Sequence, residues 1–184
     1  VIDWFTIIIG LIAVVTLAIH GANWIILKTN SSINNKLKGV IFKLNIALAV
    51  LTVFSLIVWQ YVNPNSLDNF SQKPYLLVFP VIYLTGLVGL FFIKKIKKDS
   101  HAFILSSLLI IGGIASSLAS LFPVILPSVN DVHEHLTIYN TSASEYGLSV
   151  ALTWGIIGFA LIVVYFIIQK RLMSGKIDNM DYGH

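Results

Sequence analysis

Cysteine is absent from this 184-residue chain, and charged residues are scarce. Without a thiolate, the chain cannot form a disulfide, a thiolate-bound metal site or an Fe–S cluster of its own. Asp, Glu, Lys and Arg make up only 11% of the residues, whereas a soluble domain usually contains ~25%. Apolar residues make up 57%, so there are too few polar side chains to cover a water-exposed surface. These deficits exclude an ordinary soluble domain and predict a protein surrounded by lipid.

Five long apolar segments are separated by short polar connectors. We expect helices at about residues 4–27, 40–62, 75–93, 102–126 and 148–168. Each segment has roughly the 20 residues that an α-helix needs to cross a hydrocarbon core of ~30 Å. Open strands are excluded as spans because their unpaired backbone groups would be costly in lipid. The pattern predicts an all-α, polytopic bundle of five transmembrane helices in a single membrane domain over residues 1–184.

Basic residues are concentrated in alternate connectors, and this asymmetry predicts the orientation. Eleven of the 12 basic residues fall on one predicted side: Lys28, Lys36, Lys38, Lys43, Lys94, Lys95, Lys97, Lys98, Lys170, Arg171 and Lys176. The other side has only Lys73. The positive-inside rule therefore predicts an external N-terminus and a cytoplasmic C-terminus. The short basic clusters between apolar runs also argue against nucleic-acid binding, which requires a basic face on a soluble fold.

The first residue is Val1 rather than Met. No basic segment precedes the first apolar run and no small-residue cleavage site follows it, so we do not expect a signal peptide. The simplest interpretation is that the chain is a fragment of a longer subunit.

Small residues recur at helical spacing in the third and fourth spans. Gly112, Ser116 and Ser120 lie four residues apart, and Gly86 and Gly89 mark the third span. Small side chains let helix backbones approach closely in lipid. We interpret these positions as packing faces.

His20 is the only ionisable residue well inside a predicted span. It could be a haem ligand, a proton carrier or a contact to quinone. The alternative is a structural histidine that is hydrogen-bonded to a neighbouring helix, with Asn23 on a nearby face. The role of His20 stays open at this point, because one histidine without a carboxylate partner favours no particular chemistry.

Other polar residues offer weaker candidates. His133, Glu134 and His135 occur together in an outer connector, but a zinc site needs three or four ligands, so we expect a solvated loop and no metal site. Asn45 and Gln60 are isolated polar residues in the second span. We expect them to form interhelical hydrogen bonds rather than to bind a ligand. We assign no catalytic residue.

The most specific segment follows the fourth span. Residues 121–128 read Leu-Phe-Pro-Val-Ile-Leu-Pro-Ser. Pro123 and Pro127 are expected to help end the helix at the membrane surface. Residues 136–144 then read Leu-Thr-Ile-Tyr-Asn-Thr-Ser-Ala-Ser and can supply turn and cap hydrogen bonds before the fifth span.

These two blocks resemble the signature near the end of subunit II of cytochrome bd-type quinol oxidases. Residues 20–24, His-Gly-Ala-Asn-Trp, with Leu27, Lys28 and Thr29, are similar to a small-residue helix end of that family. The resemblance covers the whole chain, as the last five helices of an eight-helix subunit. The acidic residues proposed for proton delivery belong to the part that precedes this chain, so none is carried over.

The resemblance implies a haem-free subunit that supports a haem-bearing subunit I. The complex would oxidise quinol and reduce dioxygen to water in the respiratory chain. Haems b and d are expected in the partner, and quinol or quinone is a further candidate ligand. The alternative is a stand-alone small transporter or channel, which would be expected to show a helix broken at midplane or an ionisable substrate site.

Overall fold

The computed structural model describes residues 4–30, 32–62, 67–126, 128, 135–172, 175 and 177–178. The chain divides into two compact units. Unit 1 comprises Val1–Ser120 with Lys176–His184, and unit 2 comprises Leu121–Gly175.

Unit 1 contains four spans. They are α1 (Trp4–Lys28), α2 (Ile33–Val62), a 3₁₀ helix (Pro74–Leu77) continued by α4 (Val78–Phe91), and α5 (Asp99–Leu121, in unit 1 as far as Ser120). Shorter elements join them: α3 (Asp68–Gln72), a 3₁₀ helix (Ile93–Lys95), and the parallel two-residue strands β1 (Thr29–Asn30) and β4 (Ile177–Asp178).

Unit 2 contains the fifth span, α6 (Glu145–Leu172), and an antiparallel pair of short strands, β2 (Val124–Leu126) and β3 (Leu136–Thr137). In the described residues, five helices are long and apolar enough to cross a membrane. The predicted five-span helical architecture is therefore confirmed.

The helix ends differ from the predicted bounds. α2 begins at residue 33 instead of 40, because hydropathy marks only the apolar part of a helix whose first two turns are polar. In the first turn of α2, the Asn34 amide donates to the Thr29 carbonyl at 2.9 Å, and the Thr29 hydroxyl donates to Asn34 Oδ1 at 2.9 Å. These bonds fix the tight connection from α1. Similarly, α6 is longer than the predicted 148–168 at both ends.

The end of α5 is a correction. The predicted helix over 102–126 runs from Asp99 to Leu121, and residues 124–126 form a strand instead. Pro123 has no backbone N–H to donate, and it disfavours the helical conformation at the preceding Phe122. The chain turns there, and the Ile138 N–H donates to the Pro123 carbonyl at 3.0 Å. Pro127 lies outside the described residues.

The core of unit 1 draws on all four of its spans. Its fully or nearly fully buried members are Ile19, Ile26, Ile41, Leu48, Leu87, Leu90, Ile93, Ala102 and Leu109. Aliphatic side chains thus fill the interior, while many large apolar residues face outward. That exposed apolar surface is the opposite of a soluble fold and suits contact with lipid tails.

Helices α4 and α5 approach each other closely at glycine. A Cβ added at Gly86 would lie 2.6 Å from the Leu105 carbonyl oxygen, and one at Gly112 would collide with the Tyr83 backbone. The predicted packing role of Gly86 and Gly112 is confirmed. Ser116 uses its hydroxyl within its own helix, where it donates to the Gly112 carbonyl at 2.6 Å.

Candidate functional site

His20 lies on α1 and is hydrogen-bonded to α5. Its Nδ1 is 3.0 Å from the Ser106 hydroxyl oxygen, and that hydroxyl donates to the Phe103 carbonyl at 2.8 Å. A serine has one hydroxyl hydrogen, so the geometry is satisfied when Nδ1 carries the imidazole proton and donates to Ser106. This tautomer leaves Nε2 as a hydrogen-bond acceptor.

Aromatic rings line one side of His20. Its ring centroid is 4.6 Å from that of Phe103, and the Phe103 centroid is 5.4 Å from that of Trp24. The Lys28 ammonium lies 5.3 Å from the Trp24 ring centroid. The rings therefore form a continuous stack from His20 to the lysine at the end of α1. Trp24 is exposed and His20 is half-buried, so this stack lies at the surface of unit 1.

Two asparagines lie in the interior of the bundle. Asn23 on α1 and Asn45 on α2 are both 0% exposed. The Asn45 amide donates to the Leu87 carbonyl on α4 at 2.9 Å, which confirms the expected interhelical bond. Asn45 Oδ1 and both polar atoms of Asn23 have no partner among the described residues.

Two further polar contacts join the helices toward their other ends. The Thr52 hydroxyl donates to the Leu48 carbonyl at 2.8 Å, so the Tyr83 hydroxyl donates to Thr52 Oγ1 at 2.6 Å. The Asn69 amide on α3 donates to the carbonyls of Ala119 and Ser120 at 3.0 and 3.1 Å. The sequence carried no signal for these pairings, because Thr, Ser and Tyr in a span are compatible with any facing neighbour.

The connector between α5 and α6 is only partly described. His133 and Glu134 lie outside the described residues. His135 Nδ1 accepts a hydrogen bond from the Ser128 N–H at 3.0 Å, so this ring nitrogen is engaged within unit 2. In the described ranges, no three His, Asp or Glu side chains are grouped as a metal site would require. The absence of a metal site in this chain stays a prediction.

Hydrogen bonding and aromatic packing are the chemistry that this arrangement offers. Ser106 binds Nδ1 of His20 and the Phe103 ring packs against the imidazole, so a haem held by this residue would be bound at Nε2 and would take its other axial ligand from elsewhere. The absence of a haem from this chain stays a prediction.

Comparison with known proteins places the chain in a family. The family model for cytochrome bd terminal oxidase subunit II matches residues 1–173. A curated relative from Haemophilus influenzae, named probable cytochrome oxidase subunit 2, is 22% identical over 200 aligned positions, which cover 95% of this chain and 53% of the relative. The chain thus spans about half the length of that relative. Because the family match covers nearly all of its residues, this multi-pass membrane protein belongs to the cytochrome bd terminal oxidase subunit II family.

Proposed function

We propose that this chain acts as a haem-free supporting subunit of a quinol oxidase in the bacterial cytoplasmic membrane. A haem-bearing subunit I would be its partner, and the complex would oxidise quinol and reduce dioxygen to water. The observation that carries the proposal is the family match across residues 1–173. The five apolar helices fit the same role, since they supply packing surface to a larger membrane complex.

The polar residues of unit 1 support a division of labour between the subunits. The Asn45–Leu87 and Tyr83–Thr52 hydrogen bonds connect helices to one another. His20 is likewise engaged with α5 through Ser106. Side chains with such partners stabilise a bundle, which fits a supporting role, and haems b and d are placed in subunit I because the family resemblance implies it.

Quinol or quinone is a small ligand that His20 could bind. Nε2 is an acceptor in the tautomer that Ser106 selects, and a hydroquinone hydroxyl is a donor. The Phe103 and Trp24 rings lie beside the imidazole. His20 is therefore the residue through which this chain would contact a quinol.

The orientation proposed for the complex follows from the lysines. We place the end of unit 1 that carries Lys28, Lys36, Lys38, Lys94 and Lys95 in the cytoplasm, with the N-terminus of the chain outside.

A transporter or channel has less support. Transporters of known folds bind substrate where a helix is interrupted at midplane, whereas α1, α2 and α5 run without interruption for 25, 30 and 23 residues. The change from 3₁₀ to α geometry at Val78 lies near the start of its span.

Co-expression tests the proposed function. The full-length subunit, with an affinity tag, is produced with and without the haem-bearing subunit encoded by the same organism. We expect the partner to copurify and to show quinol-dependent oxygen consumption, and we expect its haem content per protein to fall when this subunit is omitted. Copurification of no haem protein, or unchanged haem content and activity without this subunit, would contradict the proposal.

A further inference from the structure

We propose that the lysine-bearing end of unit 1 is a binding site for anionic phospholipid, in which Lys94 and Lys95 contact the lipid phosphate. The site is formed where the start of α2 meets the turn between α4 and α5. It does not depend on quinol oxidation or on the membrane orientation proposed above.

The turn that carries these lysines is held rigidly. Ile93, at the start of the 3₁₀ helix, is 0% exposed and belongs to the core. The Lys95 N–H donates to the Phe92 carbonyl at 2.8 Å. Beside it, Lys38 on α2 forms an ion pair of 3.5 Å with Asp99 at the start of α5. The start of α2, the start of α5 and the turn after α4 are thereby held together. The exposed lysines are therefore carried by a well-packed segment of the backbone.

Both proposed contact lysines already lie against aromatic rings. The Lys94 ammonium is 5.3 Å from the Phe42 ring centroid on α2, and the Lys95 ammonium is 5.8 Å from the Phe92 ring centroid. A cation over a ring face is attracted by the ring quadrupole. Each ammonium still has donors directed away from the ring, because it carries three N–H groups. The lysine stems thus lose less conformational freedom when a phosphate binds.

Among the described side chains, lysines outnumber carboxylates at this end. Eight lysines lie here: Lys28, Lys36, Lys38, Lys43, Lys94, Lys95, Lys97 and Lys98. The described carboxylate at the same end is Asp99, which pairs with Lys38. Among the described residues, Lys94 and Lys95 have no carboxylate partner, and both are exposed. A polyanion or a phosphate group is the complementary ligand.

The surroundings of the lysines identify the ligand as an amphiphile. Phe92 is 53% exposed and its ring lies against the Lys95 ammonium, so apolar surface lies directly beside this cation. Inorganic phosphate would use only the ammonium groups, and an acidic soluble segment would leave the apolar surface uncovered. A phospholipid with an anionic headgroup satisfies both, since its phosphate meets Lys94 and Lys95 while its acyl chains cover the adjoining helix surface.

The test uses the assembled oxidase complex in nanodiscs containing equal amounts of phosphatidylglycerol and phosphatidylcholine. Retained lipids are counted by native mass spectrometry after release from the nanodisc. We expect the unmodified complex to retain phosphatidylglycerol preferentially, and K94Q/K95Q to lose most of that preference, by up to about fivefold per lysine removed. K73Q is the matched control: it removes one exposed lysine at the other end of unit 1, and it should leave the preference unchanged.

Salt provides a second measurement that needs no variant. In the unmodified complex the preference should fall between 0.15 M and 1 M salt, because the Debye length shrinks from ~8 Å to ~3 Å.

Equal retention of the two lipids, or a preference that survives both K94Q/K95Q and high salt, would overturn the proposal. Loss of subunit I from K94Q/K95Q with unchanged lipid retention would identify the patch as a protein interface and would also overturn it. Displacement of phosphatidylglycerol by millimolar inorganic phosphate would show that the acyl chains contribute nothing, against the amphiphile assignment.

Discussion

The side-chain amide of Asn45 in α2 donates a hydrogen bond of 2.9 Å to the backbone carbonyl of Leu87 in α4. Both residues are buried in the core of unit 1. Because both residues are buried, the bond is shielded from bulk solvent and fixes the contact between two neighbouring spans.

Replacing Asn45 tests the α2–α4 bond. Asn45→Ala should lower the free energy of unfolding by about 1–3 kcal/mol, because it removes an interhelical bond averaging ~0.6 kcal/mol and leaves space in the core. Asn45→Leu fills the space and removes the unpartnered Oδ1, so it should cost less. Denaturant-driven unfolding of the full-length subunit in detergent measures both. Two variants that unfold like the parent protein would show that the bond is unimportant.

Gly86 tests the close approach of α4 and α5. Gly86→Ala should destabilise the protein by about 1–3 kcal/mol, because its Cβ would lie 2.6 Å from the Leu105 carbonyl oxygen and the helices must separate. Gly10→Ala is the control: its Cβ meets no described atom within 4 Å. Alanine is the better helix former there, so stability should hold or rise by up to ~1 kcal/mol. Thermal unfolding followed by circular dichroism separates them, and equal loss in both would refute the packing argument.

His20 and Ser106 form a pair whose coupling can be measured. A double-mutant cycle with His20→Ala and Ser106→Ala should give a coupling free energy of about 0.5–1.5 kcal/mol, as for one hydrogen bond. Both variants should leave the haem content of the oxidase complex unchanged by pyridine haemochrome assay. Haem loss in His20→Ala with full retention in Ser106→Ala would instead identify His20 as a ligand and contradict the haem-free assignment.

Much of unit 1 was predictable from sequence, and the reasons are physical. Span number follows from hydropathy, because the bilayer imposes a minimum apolar length. The helix ends did not follow: the polar turns before Gly39 look like a connector on a hydropathy scale, yet they are helical. The strand at 124–126 was missed because Val, Ile and Leu continue the apolar run past Leu121.

The candidate site was less predictable. The sequence singled out His20, since an ionisable group within a span is rare. It could not identify Ser106 as the partner, because that contact depends on which helix faces α1 and on its rotation. Gly86 and Gly112 were identified as packing positions, since a missing side chain has one common use in lipid.

The proposed orientation leads to a labelling prediction. Single cysteines at Ser100 and Ser142 are suitable probes, because both positions are exposed and the chain has no native cysteine. An impermeant maleimide should label position 142 from outside intact cells and position 100 only after the membrane is opened. Labelling of both from the same side would overturn the proposed topology.

Asn140 closes the turn after β3 in unit 2. Its Oδ1 accepts from the Thr137 N–H at 2.7 Å, and its amide donates to the His135 carbonyl at 3.0 Å. Asn140→Ala removes both bonds and should speed amide exchange and proteolysis around residues 135–141. Asn140→Asp keeps the acceptor but not the donor, so its effect should be intermediate. Identical exchange rates in all three proteins would show that the turn holds without this side chain.

The 3₁₀ segment Pro74–Leu77 affects how the protein fits its bilayer. It rises about 2.0 Å per residue against ~1.5 Å for an α-helix. With the 14 residues of α4, it extends the 18-residue span Pro74–Phe91 to about 29 Å. That length is close to the thickness of a ~30 Å hydrocarbon core. If this span tilted, it would no longer cross the core, whereas the longer α1, α2 and α5 can tilt and still cross it. The third span therefore sets the hydrocarbon thickness that unit 1 matches best. In a thicker membrane, we expect the bilayer around this span to thin.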